Sequence, residues 1–138
     1  MTCECFYCED KEKRRSLMVE ICKLSVSTLY LNRDQKHLGR CVLKLNEHKT
    51  DLSALSPEEN AAFFGDLRRV SQALNKIYAP DKINYAIYGD LVPHLHVHIV
   101  PKYAEGLQWG VPFTDDIPKK TLAEEEYAAM IEAIKAEL

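Results

Sequence analysis

The sequence predicts a single α+β domain, and three observations carry that expectation: short apolar runs of strand character, two segments with apolar residues at helical spacing, and their order along the chain, β-β-β-α-β-β-α. Such an order points to a mostly antiparallel meander. At 138 residues and 46% hydrophobic content the chain can bury one core, and no composition shift suggests a second, so residues 1–138 are read as one domain.

The elements follow in order. Residues 1–15 form a polar, charged arm with too little apolar content to join a core unaided, so the arm needs a metal or a partner surface to fix it. Met18, Val19, Ile21, Leu24, Val26, Leu29 and Leu31 lie among Ser, Thr and Lys and read as two short strands with a break between them. A turn over residues 32–39 leads to a third, more central strand, Arg40-Cys41-Val42-Leu43-Lys44-Leu45.

Ser56-Pro57-Glu58-Glu59 is a helix start: Ser56 can accept backbone N–H groups as N-cap, Pro57 suits the first helical position, and the acids favour the positive helix end. Behind it Phe63, Phe64, Leu67, Val70, Leu74, Ile77 and Tyr78 recur at helical spacing up to Pro80. Residues 83–88 read as a strand, Gly89-Asp90 as a turn, and residues 94–100 as a strand ending at Pro101. Thr121-Leu122-Ala123-Glu124 has the form of a capping box for a last helix over residues 121–138.

Charge and cysteine content narrow the function classes. Lys and Arg total 18 against 21 Asp and Glu, a net charge of -3, so a reader of nucleic-acid backbones is disfavoured. No run approaches the length of a membrane span, and a charged start is unlike a secretion signal, which leads to a cytoplasmic expectation. Five cysteines, Cys3, Cys5, Cys8, Cys22 and Cys41, are an odd count that fits reduced thiols or metal ligation better than a disulfide framework.

His94-Leu95-His96-Val97-His98 is the most informative stretch. Strand side chains alternate, so the three histidines share one face while Leu95, Val97 and Ile99 share the other. Three imidazoles on one face can be a solvated surface, a metal site, or a centre for nucleophilic and acid–base work. The spacing favours the last.

The pattern of three histidines alternating with apolar residues, flanked by Pro93 and Pro101-Lys102, resembles the signature of the histidine triad (HIT) family. Leu38-Gly39-Arg40-Cys41-Val42-Leu43 and Glu47-His48-Lys49-Thr50-Asp51-Leu52 resemble that family's central strand and the loop after it. The resemblance implies a HIT-like fold, a five-stranded antiparallel sheet with two helices, usually as a homodimer. It also implies attack on the α-phosphate of a purine nucleotide. By motif position His96 is the nucleophile, its other ring nitrogen pinned by a backbone carbonyl; His98 binds phosphate oxygens or protonates the leaving group; His94 supports the geometry. Asn32 falls where the family commonly grips the ribose hydroxyls with a carboxylate, a role its amide can fill with one acceptor and one donor, or it is an ordinary turn residue.

Two departures stand out. Arg40 occupies the place of a supporting histidine and can direct a guanidinium at phosphate, or serve as a surface ion-pair residue. The polar Ser or Gln often found before the first triad histidine is missing from Tyr88-Gly89-Asp90-Leu91-Val92-Pro93, which bears on leaving-group handling.

Cys5-Phe6-Tyr7-Cys8 supplies half of a tetrahedral zinc site, with Cys3 as a substitute for Cys5. Similar proteins complete such a pair with a loop histidine and the first triad histidine, here His48 and His94, which implies a structural zinc. His37, in a polar turn, reads as solvent-exposed. Trp109, the sole tryptophan, is either a leaving-group wall, as the resemblance suggests, or a core or interface residue.

The leading reading is a nucleotide-phosphate hydrolase or transferase for dinucleoside polyphosphate or nucleoside phosphoramidate substrates. A zinc-stabilised nucleotide-binding module without turnover is the alternative, and a bare metal-binding protein the third.

Overall fold

A computed structural model of the protein describes residues 5–8 and 11–138. The expected role of Cys3 lies outside those residues. Helix α1 (Lys11–Leu17) leads into β1 (Met18–Lys23) and β2 (Ser27–Asn32), followed by β3 (Cys41–Leu45), α2 (Pro57–Tyr78), β4 (Lys82–Ala86), β5 (His96–Lys102) and α3 (Glu124–Ala136). The five strands form one antiparallel sheet in the order β1-β2-β3-β5-β4. The meander is therefore interrupted once. After β3, α2 carries the chain across the sheet, β4 takes the edge, and β5 returns between β4 and β3.

Local chemistry explains most boundaries. Ser56 caps α2 and forms a reciprocal capping box with Glu59, with Pro57 in the first turn. Ala79 ends the helix in a left-handed conformation just before Pro80. Gly39, at φ 88°, closes the β2–β3 turn, where a Cβ would lie 2.9 Å from the Tyr78 ring.

Three expectations need correction. The polar arm runs into α1, so the described α-helices number three. The last strand begins at His96 and runs through Pro101 to Lys102. Pro101 is tolerated because β3 pairs with β5 only as far as Ile99, so at Pro101 only β4 lies alongside. The final helix starts two residues later than the capping-box reading: Ala123 is its N-cap and Glu126 accepts the Ala123 N–H. The Tyr127 hydroxyl accepts the Leu122 N–H and donates to the Arg33 carbonyl, which holds the preceding segment extended.

The sheet has two chemically different faces. Leu29, Leu31, Leu43, Val97 and Ile99 pack with Phe63, Val70 and Leu74 of α2 and Tyr127 and Ile134 of α3 in the main core. Tyr30, Val42 and Met18, on the other face, pack with Cys5 and Tyr7 of the arm in a second, smaller cluster. The arm covers the face that carries the histidines, since Val42 pairs with His98 and Lys44 with His96.

Candidate active site and metal-ligand cluster

The residues on this second face build the floor of a cleft of ≈ 1400 Å³, into which Tyr7, Asn32, Arg40, His96, His98 and Asp115 project. His96 is 5% exposed, and its Nδ1 lies 2.6 Å from the His94 carbonyl oxygen. A carbonyl can only accept, so Nδ1 carries the proton and Nε2 keeps its lone pair. Burial lowers the His96 pKa, opposed by that hydrogen bond, and keeps the ring neutral and nucleophilic.

His98 stands edge-on to His96, with ring centroids 5.0 Å apart. Arg40 Nη2 makes a long contact of 3.4 Å to His98 Nδ1. A guanidinium can only donate, so Nδ1 accepts and neutral His98 carries its proton on Nε2. Burial first, then His96 and the Arg40 charge, push its pKa down to about 3 against an opposing effect of Asp115. The floor thus offers a bare nitrogen on His96 beside an N–H donor on His98.

Arg40 is 4% exposed, which removes the reading as a surface ion-pair residue. Its Nη1 donates to Asp115 Oδ1 at 3.0 Å, and its guanidinium carbon lies 5.2 Å from the Phe113 ring centroid. Asn32 lies at the end of β2. Asn32 Oδ1 and Arg40 Nε are both buried with no hydrogen-bond partner among the described residues, which is costly unless a ligand supplies one. Gln35, buried beneath the turn, donates to the carbonyls of Asn32 and Arg40 and accepts the Gly39 N–H. It fixes the turn that presents both residues.

The side chain of His94 faces away from this chemistry. Its Nε2 lies 2.7 Å from the Leu45 carbonyl and so bears the proton, which turns a bare Nδ1 toward Cys5, Cys8 and His48. His94 Nδ1 is 3.4 Å from Cys5 Sγ, 3.6 Å from Cys8 Sγ and 3.1 Å from His48 Nδ1. His48 Nδ1 is 3.5 Å from each sulfur. A tetrahedral zinc with ligand bonds of about 2.3 Å to sulfur and about 2.0 Å to nitrogen would separate sulfur from nitrogen by roughly 3.5 Å and the nitrogens by roughly 3.3 Å. The four residues fit a metal ion, and the Leu45 carbonyl supplies the outer hydrogen bond that orients a ligating imidazole.

Other predicted residues lie elsewhere. His37 is 4% exposed, and its Nε2 contacts Gln108 Oε1 at 2.9 Å, correcting the solvent-exposed reading. Trp109 is 44% exposed and lines a separate hollow of ≈ 560 Å³ with Tyr85 and Phe113, so it is no core residue and forms no wall of the histidine cleft within this chain. Tyr88 borders both hollows. Sequence reasoning missed Tyr7, Gln35, Gln108 and Asp115. The position of Tyr7 between two candidate ligands is the one local signal that marked any of them.

Comparisons agree with this fold. The HIT domain profile matches residues 22–105. A bis(5'-nucleosyl)-tetraphosphatase (asymmetrical) of Schizosaccharomyces pombe is 36% identical over 56 residues, 37% of this chain and 31% of that protein, so the match spans about a third of that relative. A histidine triad protein structure from Bradyrhizobium japonicum superposes with a TM-score of 0.83 at 24% identity, covering 91% of this chain and 94% of that one. A Zn-bound histidine triad family protein of Mycobacterium smegmatis has a TM-score of 0.63 at 21% identity, covering 86% of this chain and 85% of that one.

Proposed function

The chain belongs to the HIT domain family, and from that premise we propose that it is a nucleotide-phosphate hydrolase or transferase working through a nucleotidyl bond to His96. The carrying observation is the bare, buried Nε2 of His96 at the cleft floor, with its tautomer set by the His94 carbonyl. In this reading Nε2 attacks the α-phosphorus of a purine nucleotide and the P–O or P–N bond to the leaving group breaks. His98 donates its Nε2 proton to a phosphate oxygen or to the departing group. Water or another acceptor then displaces His96. Arg40 balances phosphate charge, and Asn32 Oδ1, without a partner among the described residues, accepts a hydrogen bond from a ribose hydroxyl.

The S. pombe relative's name supports a dinucleoside polyphosphate as substrate, with a nucleoside phosphoramidate as the other candidate. Zinc is proposed for the cluster of Cys5, Cys8, His48 and His94, supported by the ligand spacing and the Zn-bound neighbour. Its role would be structural, at the root of the arm. Thiolate ligation suits a reducing, cytoplasmic setting. A homodimer is proposed through β4, an edge strand of the sheet, beside which the exposed Tyr85, Tyr88, Trp109 and Val111 line one hollow. Sedimentation at twice the chain mass would bear this out, and a monomer throughout the micromolar range would refute it.

The test of the reaction is release of nucleoside monophosphate from diadenosine polyphosphates and adenosine phosphoramidate by wild type and His96→Ala. Loss of turnover by about 10³-fold or more in the variant, with an intact-mass adduct trapped only on the wild type, is expected. Bound nucleotide without turnover in either protein would replace the enzyme by a zinc-stabilised binding module.

A further inference from the structure

The Cys5–Cys8 turn does more than close a cluster of candidate ligands. The Cys8 N–H donates to the Cys5 carbonyl at 3.0 Å, so Phe6 and Tyr7 occupy the apex of a tight turn. From α1, Arg14 donates to the carbonyls of Phe6 and Tyr7 at 3.3 Å and 2.8 Å. Phe6 meets the Tyr7 ring edge-on, with centroids 4.9 Å apart at 84°. The Tyr7 ring, 4% exposed, is thereby pressed onto the histidine face: its centroid is 4.9 Å from that of His96 and 5.6 Å from that of His94.

The consequence concerns the freedom of His96. One hydrogen bond at Nδ1 fixes which nitrogen is bare but lets the ring swing about that bond. His98 meets the ring edge-on. Tyr7, from a separate part of the chain, also packs against it, with centroids 4.9 Å apart at 46°.

We propose that Tyr7 is a positioning residue for His96, covering one side of its ring so that Nε2 stays aimed into the cleft. The inference rests on the reading of His96 as nucleophile. It gives the arm a part in the chemistry, because the turn that presents Tyr7 is the one that carries Cys5 and Cys8. A misdirected nucleophile costs rate far more than it costs substrate affinity.

Tyr7→Phe keeps the ring and Tyr7→Ala removes it; Tyr7→Leu fills the space without a flat surface, should the alanine variant fail to fold. Single-turnover transfer from a diadenosine polyphosphate onto His96 should stay within about twofold of wild type for Tyr7→Phe and fall about 10- to 100-fold for Tyr7→Ala, with KM changed less than about threefold. Metal content per chain should match wild type in each. A raised KM with an unchanged transfer rate would reduce Tyr7 to a cleft wall and overturn the proposal, as would equal losses in Tyr7→Phe and Tyr7→Ala. Nuclear Overhauser contacts of the His96 ring protons separate this idea from the reaction itself. If wild type transfers nothing, a single ring orientation of His96 against His98 that becomes averaged in Tyr7→Ala still supports positioning, and an unchanged contact pattern refutes it.

Discussion

At the residue scale the site depends on which histidine nitrogen carries a proton, and each is set by a group that can only accept or only donate. The His94 carbonyl makes His96 Nε2 bare; the Arg40 guanidinium makes His98 Nε2 a donor. Arg40→Met tests the second arrangement. Removing the guanidinium removes one of the effects that depress the His98 pKa, so the pKa should rise from about 3, although burial, the largest effect, stays. In wild type, ¹H–¹⁵N spectra should show His98 neutral throughout about pH 5 to 8, and in Arg40→Met its titration should move upward. kcat/KM should fall by about 10²-fold, the scale of losing a charged donor at a phosphate. A variant with unaltered His98 titration and activity would remove Arg40 from the site. The alternation of His94, His96 and His98 was readable in sequence because strand periodicity is local, and so was the pairing of Cys5 with Cys8. Asp115 and Gln108 were not readable: Gln108 meets His37 across 71 residues, and no spacing rule reaches that far.

At the element scale, the signals that worked were the ones backbone chemistry dictates within a turn or two. Ser56, Pro57 and Glu59 placed the start of α2 correctly because their partners are three residues away. Thr121 misled because the contact that settles the start of α3 is tertiary, from the Tyr127 hydroxyl to Leu122 and Arg33. Asp66 shows the same limit inside α2. This buried carboxylate reaches the β1–β2 turn and accepts from the Ser25 N–H and hydroxyl, the Val26 N–H and the Ser27 hydroxyl. Burial alone would raise its pKa, and those four hydrogen bonds outweigh burial and lower it. A folded pKa below the unfolded value of about 3.9 means that the stabilisation is complete above that pH and is lost as pH falls through the folded pKa. Asp66→Asn, with one acceptor oxygen in place of two, should cost about 2–3 kcal/mol in urea unfolding at neutral pH. The deficit should shrink as the pH is lowered through about 3.9 and below. A deficit constant down to about pH 2 would show that shape, and not charge, matters there.

At the scale of the whole molecule, the two faces of the sheet differ in what holds them. The main core joins both long helices to all five strands of the sheet and includes no described residue of the arm. The second cluster is small and draws two of its five buried members, Cys5 and Tyr7, from a segment whose own apolar content is slight. The metal proposed for Cys5, Cys8, His48 and His94 would therefore tie the arm to the histidine face without supporting the fold as a whole. Chelation should accordingly act locally. Far-UV circular dichroism should keep the sheet and helix signal, while trypsin should gain rapid access to Lys11, Lys13, Arg14 and Arg15. Transfer onto His96 should weaken in parallel with that exposure, because Tyr7 leaves with the turn that carries it. Global unfolding on chelation would mean that the main core depends on the arm after all, and an arm that stays protected without metal would show that Arg14 and the aromatic contacts suffice to hold it.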